Sequence, residues 1–326
     1  MTSTDIAPHR ARMGHPASSR ARLSAVCRRG LGLALLPAAA ACLLGATPAT
    51  FKPPHFAAWI DGTIQGEPEV QVQMIDTDTA VIRQSVTTNF EAPFLYLLFG
   101  RDRALLLDTG AGGLHIRPTV DRLVADWQQR HHGRSIQLVV AHSHGHGDHH
   151  AGDTEFADRP DTVVVGLKPE EVARFFGVRE WPNGIGRYDL GGRTLQVIPT
   201  PGHEPAHIMV YDARTQLLFS GDMFYPGRLY VPTDRLAEFR ASANRLAAFA
   251  ETHRIRALLG AHIEMTGTPG QDYPMRAPSH PAEHPLPLSP AVIVELQHAL
   301  AGAASPPTID RHADFIVYPV APRPTQ

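Results

Sequence analysis

Residues 142–152 read His-Ser-His-Gly-His-Gly-Asp-His-His-Ala-Gly, and within them lies His144-x-His146-x-Asp148-His149. Imidazole nitrogens and carboxylate oxygens are ligands of choice for zinc and other borderline divalent metals. Four such groups within six residues, spaced by glycine, can divide between two adjacent ions. Several histidines crowd this stretch, yet the register is unambiguous. His144 and His146 are followed by an aspartate two residues on and then a histidine; His142 falls outside that pattern.

Three more potential ligands lie downstream, each at the end of an apolar run. Thr200-Pro-Gly-His203 follows Leu195-Gln-Val-Ile198, Ser220-Gly-Asp222 follows Leu217-Leu-Phe219, and Gly260-Ala-His262 follows Ala257-Leu-Leu259. A short apolar run ending in glycine or proline reads as a buried strand that delivers a side chain from its C-terminal tip. Ala104-Leu-Leu-Leu-Asp108-Thr-Gly110 has the same form upstream. A surface histidine tract would not bring such a series with it.

These motifs, Asp108-Thr-Gly, His144/His146/Asp148/His149, His203, Asp222 and His262, resemble in order those of the metallo-β-lactamase-fold hydrolase superfamily. The resemblance spans roughly residues 70–265. It implies an α/β (α+β) four-layer αββα sandwich, two mixed sheets flanked by helices, with metals at one edge. It also implies a ligand set: His144, His146 and His203 on a first metal, Asp148, His149 and His262 on a second, and Asp222 bridging them. The expected cofactor is two zinc ions, with iron as the alternative. The expected chemistry is attack on a substrate carbonyl by a hydroxide shared between the metals. Asp148 and Asp108 are the expected catalytic carboxylates. Asp108 is assigned the role of accepting a hydrogen bond from a ligand histidine and fixing its tautomer; an ordinary turn aspartate is the alternative. Gly145, Gly147 and Gly152 are expected to supply positive φ angles in the metal loop.

Other residues call for plainer roles. His142, His150 and His207 read as packing, supporting or solvent-facing groups, since zinc sites need few protein ligands. Tyr225 and Tyr230 follow Asp222 and can donate to an oxyanion, although the reading preferred for them is an aromatic loop. Trp181 and the loop 274–284 are placed near the substrate pocket by position alone.

The elements that must position these groups follow from hydrophobic spacing. Strands are expected at Val70–Gln84, Phe94–Phe99, Ala104–Leu107, Ile136–Ala141, Thr162–Gly166, Leu195–Ile198, Ile208–Tyr211, Leu217–Ser220, Ala257–Leu259 and Phe315–Val320. Helices are expected at Pro118–His131, Pro169–Phe176, Asp234–His253 and Pro290–Ala301; Leu236, Phe239, Ala243, Leu246 and Phe249 share one face of the third. Strands in series and then a helix, twice over, argue for two packed sheets with helices outside.

The chain of 326 residues, 43% hydrophobic and 19% charged, fits an ordinary globular protein. Residues 1–49 read separately. Six arginines stand there against the single acid Asp5, followed by an apolar stretch, Leu31–Gly45, too short for a comfortable membrane span. This predicts an export leader and a periplasmic or secreted protein. Cys27-Arg28-Arg29-Gly30-Leu31 resembles a twin-arginine signal, and Ala40-Ala41-Cys42 resembles a weak lipobox; a disordered tail is the alternative. The domain plan is therefore a leader at 1–49, a lead-in segment at 50–69, a catalytic domain at 70–265, and a C-terminal part, 266–326, completing the same domain.

Cys27 and Cys42, the two cysteines of the chain, both fall in the leader, so the remainder must build any metal site from histidine and carboxylate. Without the leader's six arginines and one aspartate, the 30 basic and 32 acidic residues become 24 and 31, a net of −7. With Lys52 and Lys168 its only lysines and no basic stripe, the chain is a poor nucleic-acid partner. A small-molecule substrate is expected, with no stable membrane span after leader cleavage. No feature read here fixes an oligomeric state.

Ser220-Gly-Asp222-Met-Phe224 is similar to the bridging-aspartate motif of hydroxyacylglutathione hydrolases and lactonases, whereas true β-lactamases generally lack that aspartate. The function expected is hydrolysis of an ester, thioester, lactone or amide. The alternatives are a mononuclear-iron persulfide dioxygenase-like oxidoreductase, a true β-lactamase, or a binding protein that has lost catalysis.

Overall fold

The computed structural model describes residues 52–304 and 307–322. The expected leader lies outside these residues, as does its proposed cleavage region. No helix among the described residues is long and apolar enough to cross a membrane.

One sheet is formed, in spatial order, by β1 (Val70–Asp76), β2 (Thr79–Gln84), β3 (Phe94–Phe99), β4 (Arg103–Leu107), β5 (Gln137–Ala141) and β6 (Thr162–Val164). Helix α1 (Arg117–Arg130) links β4 to β5, and the short α2 (Gly147–His150) and α3 (Pro169–Phe176) follow. Next come β7 (Gly186–Asp189), β8 (Thr194–Pro199), β9 (Ile208–Asp212), β10 (Leu217–Gly221), β11 (Arg228–Pro232), α4 (Leu236–Thr252), β12 (Ala257–Gly260), β13 (Pro287–Leu288), α5 (Ala291–Ala301), β14 (Asp310–Arg311) and β15 (Ile316–Val320). The second sheet has the order β13-β12-β10-β9-β8-β7, and a small third sheet has the order β11-β15-β14.

The period-2 alternation of each strand builds the layers. Leu105, Leu107, Val139 and Ala141 face inward and meet Val197, Val210, Leu217, Phe219 and Leu259 of the second sheet. Their neighbours Ala104, Leu106, Leu138 and Val140 face outward onto Val120, Leu123, Val124 and Trp127 of α1. Likewise Leu218 and Leu258 face outward onto Phe239 and Leu246 of α4 and Ile293 and Leu296 of α5. Both faces of the central strands are thus covered, which is why they are near-continuous apolar runs. Each fully buried Leu, Val or Phe contributes roughly 1.5–3 kcal/mol of transfer free energy. The result is the four-layer αββα sandwich.

Three departures from the sequence reading have clear causes. The single expected strand 70–84 is a hairpin, with β1 and β2 antiparallel around Thr77–Asp78. The expected helix 234–253 begins with a 3₁₀ turn, Thr233–Arg235, before α4. Strands β7, β11, β13 and β14 were not anticipated: β7, β13 and β14 are too short to carry an alternation signal, and β11 is held by parallel pairing with the distant β15.

Two parallel pairs decide where the chemistry goes. β4 runs parallel to β5, with Leu107 opposite Ala141, and β10 runs parallel to β12, with Gly221 opposite Gly260. Parallel neighbours end on the same side, so four strand tips open onto one edge of the sandwich.

Candidate metal centre

Asp108 leaves the tip of β4 with its N–H donated to Ala141 O at 2.8 Å, and φ of 68° turns its carboxylate inward. The left-handed region suits aspartate better than most non-glycine residues. The loop after β5 carries Ser143, His144 and His146, and α2 then presents Asp148 and His149 from a single turn. His203 lies in the loop between β8 and β9, closed by Thr200 N–H to His207 O at 2.8 Å. Asp222 and His262 follow the tips of β10 and β12.

The glycines act differently from the expectation. Gly145, Gly147 and Gly152 do not have positive φ; Gly152 has φ of −85° and is required by close approach, since a Cβ there would lie 2.6 Å from Thr109 O. The glycine that needs its freedom is Gly221, at φ 51°, where a Cβ would stand 2.8 Å from both His207 Nε2 and Ser143 Cβ. Its backbone slots between the two loops and sets the position of Asp222.

The seven predicted donors converge as two adjacent groups. In the first, His146 Nδ1 lies 2.9 Å from His144 Nε2 and 3.0 Å from His203 Nε2. In the second, Asp148 Oδ2 lies 3.1 Å from His149 Nε2 and 3.3 Å from His262 Nε2. Asp222 spans both. Its Oδ2 is 3.5 Å from His203 Nε2 and 3.9 Å from His144 Nε2, while its Oδ1 is 3.5 Å from His149 Nε2 and 3.4 Å from His262 Nε2. Each group has the compactness a metal ion requires. His146 and Asp148 are the less buried members, so the centre opens to solvent beside them.

The hydrogen bonds behind the rings fix which nitrogen faces inward. His149 Nδ1 meets Asp108 Oδ2 at 3.0 Å, His203 Nδ1 meets Tyr230 O at 2.8 Å, and His262 Nδ1 meets Glu91 O at 2.8 Å. Each acceptor holds a proton on Nδ1 and leaves the Nε2 lone pair aimed at the centre. Inside, His149 Nε2 and Asp222 Oδ1 are buried without a hydrogen-bond partner. Nitrogen and oxygen donors converging this closely call for an electrophile, and a divalent cation fits this all-nitrogen and oxygen donor set.

The two groups differ in charge. Burial, with neighbouring His149, His203 and His146, drives His144 well below the usual histidine range, and burial also lowers His203. In the second group burial opposes charge, but carboxylates win. Asp148, Asp222 and Asp108 lift His149 well above its ordinary value, and Asp222 and Asp148 do the same for His262. Burial would raise Asp222, yet His262, His149 and His144 hold it far below the carboxylate range.

Supporting residues surround this core. His207, fully buried, accepts the Asp222 N–H at its Nε2 (3.1 Å) and so donates Nδ1–H to Thr200 Oγ1 (2.8 Å). Its role is to hold Asp222, a function its spacing from His203 does not reveal. Ser143 donates both N–H (2.7 Å) and Oγ–H (2.9 Å) to Asp108, a contact the sequence analysis missed. His142 pairs with Asp153 at 2.8 Å. Tyr225 donates to Arg228 O and Tyr230 reaches Glu264 at 3.3 Å, so neither hydroxyl is free for an oxyanion. Trp181 lines a cleft with Pro201 and Pro205, beside the loop that carries His203. Glu91 was not anticipated; its carboxyl is pushed up to about 7, chiefly by burial, with Asp148, Glu264 and Asp222 adding to the rise against His262.

A family model described as the metallo-beta-lactamase superfamily matches residues 89–252, half of the chain. The chain belongs to the metallo-beta-lactamase superfamily. This superfamily member is 29% identical over 163 residues to a hydroxyacylglutathione hydrolase of Rhizobium meliloti, covering 47% of this chain and 59% of that protein. It is 26% identical over 206 residues to the acyl-coenzyme A thioesterase MBLAC2 of Bos taurus, covering 53% of this chain and 74% of that protein. A metallo-beta-lactamase from Pontibacter korlensis superposes with a TM-score of 0.47 at 18% identity, over 72% of this chain and 99% of that one.

Proposed function

We propose that this superfamily member is a two-zinc hydrolase acting on an ester, thioester, lactone or amide. His144, His146 and His203 would hold one ion, Asp148, His149 and His262 the other, and Asp222 both. When bound, a zinc pair brings the pKa of a shared water to about 7 and polarises the carbonyl under attack.

The carrying observation is the double orientation of Asp222, one oxygen toward each group, with two buried site atoms lacking a hydrogen-bond partner. The chain's own residues supply the preorganisation. Asp108 keeps the His149 proton on Nδ1, the carbonyls of Tyr230 and Glu91 do so for His203 and His262, and His207 holds the backbone of Asp222. Thioesters head the substrate class, because one relative is named for acyl-coenzyme A thioesters and another for hydroxyacylglutathione.

Elemental analysis of protein purified without added metal, joined to a thioester, ester, lactone and β-lactam panel, tests this reading. About two zinc per chain and thioester turnover are expected. One iron per chain with oxygen uptake on a persulfide overturns it.

A further inference from the structure

The rim of the centre carries a feature that metal chemistry does not require. Residues 274–277 form a tight turn, closed by Ala277 N–H to Pro274 O at 3.0 Å. Its third residue, Arg276, has φ of 60°, a region where glycine or asparagine ordinarily sits in such turns. An arginine there breaks a local rule, and rule-breaking positions concentrate at functional sites. The turn is anchored next to the centre: Tyr273 N–H donates to Glu264 O at 2.8 Å, and Glu264 is two residues beyond His262.

The Arg276 guanidinium stacks over the ring of Phe90, 4.7 Å from its centroid. Phe90 immediately precedes Glu91, whose carbonyl accepts from His262 Nδ1. Phe90 and Met275 are both large apolar side chains left exposed here, at 36% and 59%. Among the described residues Arg276 makes no ion pair, while Arg228 on the same flank is taken up by Glu264 and Asp272. A guanidinium stacked by its face keeps its in-plane N–H fork available for a planar anion.

We propose that Arg276, stacked on Phe90 at the rim of the metal centre, is a specificity-determining residue that binds an anionic group on the distal arm of the substrate. The group is a carboxylate or a phosphate, carried on an apolar spacer that lies along Phe90 and Met275. This rests on the reading of the centre as a metal-dependent hydrolase.

Binding to the zinc-loaded protein tests it without turnover. Calorimetric titration compares α,ω-dicarboxylates from glutarate to sebacate with monocarboxylates of equal length; a terminal phosphonate in place of the second carboxylate separates the two anion sources. The expected result is roughly fivefold tighter binding of the dianion at one or more lengths, in line with a partly exposed charge-assisted contact. Arg276→Gly removes that preference while leaving Tm unchanged or raised, because glycine fits the turn better. Arg276→Lys, which keeps the charge without the planar fork, recovers only part of it. Equal binding of mono- and dianions at every length, or a preference that survives Arg276→Gly, overturns the proposal. An anion preference in a protein that hydrolyses nothing on the panel overturns the hydrolase reading instead.

Discussion

At one end of the sandwich Arg193 and Asp212 lie buried between the sheets; at the other lie seven histidines and aspartates. The Arg193 guanidinium donates to Asp78 O (2.7 Å), Phe99 O (3.0 Å), Thr79 Oγ1 (2.8 Å) and Asp212 Oδ2 (2.7 Å). Thr215 Oγ1 and Arg214 N–H complete the carboxylate. Apart from Arg193 Nε, which is buried without a hydrogen-bond partner, donors meet acceptors and opposite charges meet, so this end is a structural joint. At the opposite end like groups meet: His146 Nδ1 lies 2.9 Å from His144 Nε2 and 3.0 Å from His203 Nε2, and buried His149 Nε2 and Asp222 Oδ1 have no hydrogen-bond partner. Opposite ends of one sandwich thus serve stability where their polar groups are complementary, and invite a ligand where they are alike.

Substitutions at the two ends should break different things. Asp222→Asn removes the carboxylate that faces both groups, and kcat/KM is expected to fall by about 10³-fold or more, with metal content dropping below one ion per chain. Retention of two ions and of activity would refute the bridging role. Asp212→Asn keeps the shape but strands a buried guanidinium, a loss of about 3–5 kcal/mol by denaturant titration, while the folded fraction keeps its full metal content. If metal is lost in proportion to unfolding-independent activity there, the two ends are not separable. Asp108→Asn gives the smallest effect. Asparagine tolerates the left-handed backbone at 108, so the fold persists, but with one acceptor oxygen its amide cannot accept both the Ser143 N–H and the His149 Nδ1–H. A loss of roughly 10–100-fold in metal affinity is expected by competition with a chelator.

Much of the centre was legible because its donors sit at strand tips. A buried strand is a short apolar run, and the first polar residue after it is either a turn residue or a functional one. Asp108, Asp222 and His262 were found that way, and the order of layers followed from runs such as Leu105–Leu107 and Leu217–Phe219. What escaped notice depended on partners far along the chain. His207 looks like any histidine four residues past His203 until the fold brings Asp222 N–H to it. Tyr225, preferred as a loop aromatic over an oxyanion donor, is settled as such only by the fold, where Arg228 O accepts its hydroxyl. Gly145, Gly147 and Gly152 stand within the motif, whereas positive φ and a close approach to Ser143 and His207 are found at Gly221.

The sequence by itself determined which residues could ligate a metal and which segments bury themselves, because residue type and hydrophobic period are local properties of the chain. It determined as well that no cysteine stands beyond residue 42. Only the tertiary structure decided that Asp222 faces two groups at once, which nitrogen of each ring points inward, and that Arg276 meets Phe90 at the rim. Those outcomes depend on two parallel strand pairs ending side by side, and on loops brought together from positions as distant as 90 and 276. Contacts between residues so far apart in the chain are set by packing, which no local pattern encodes.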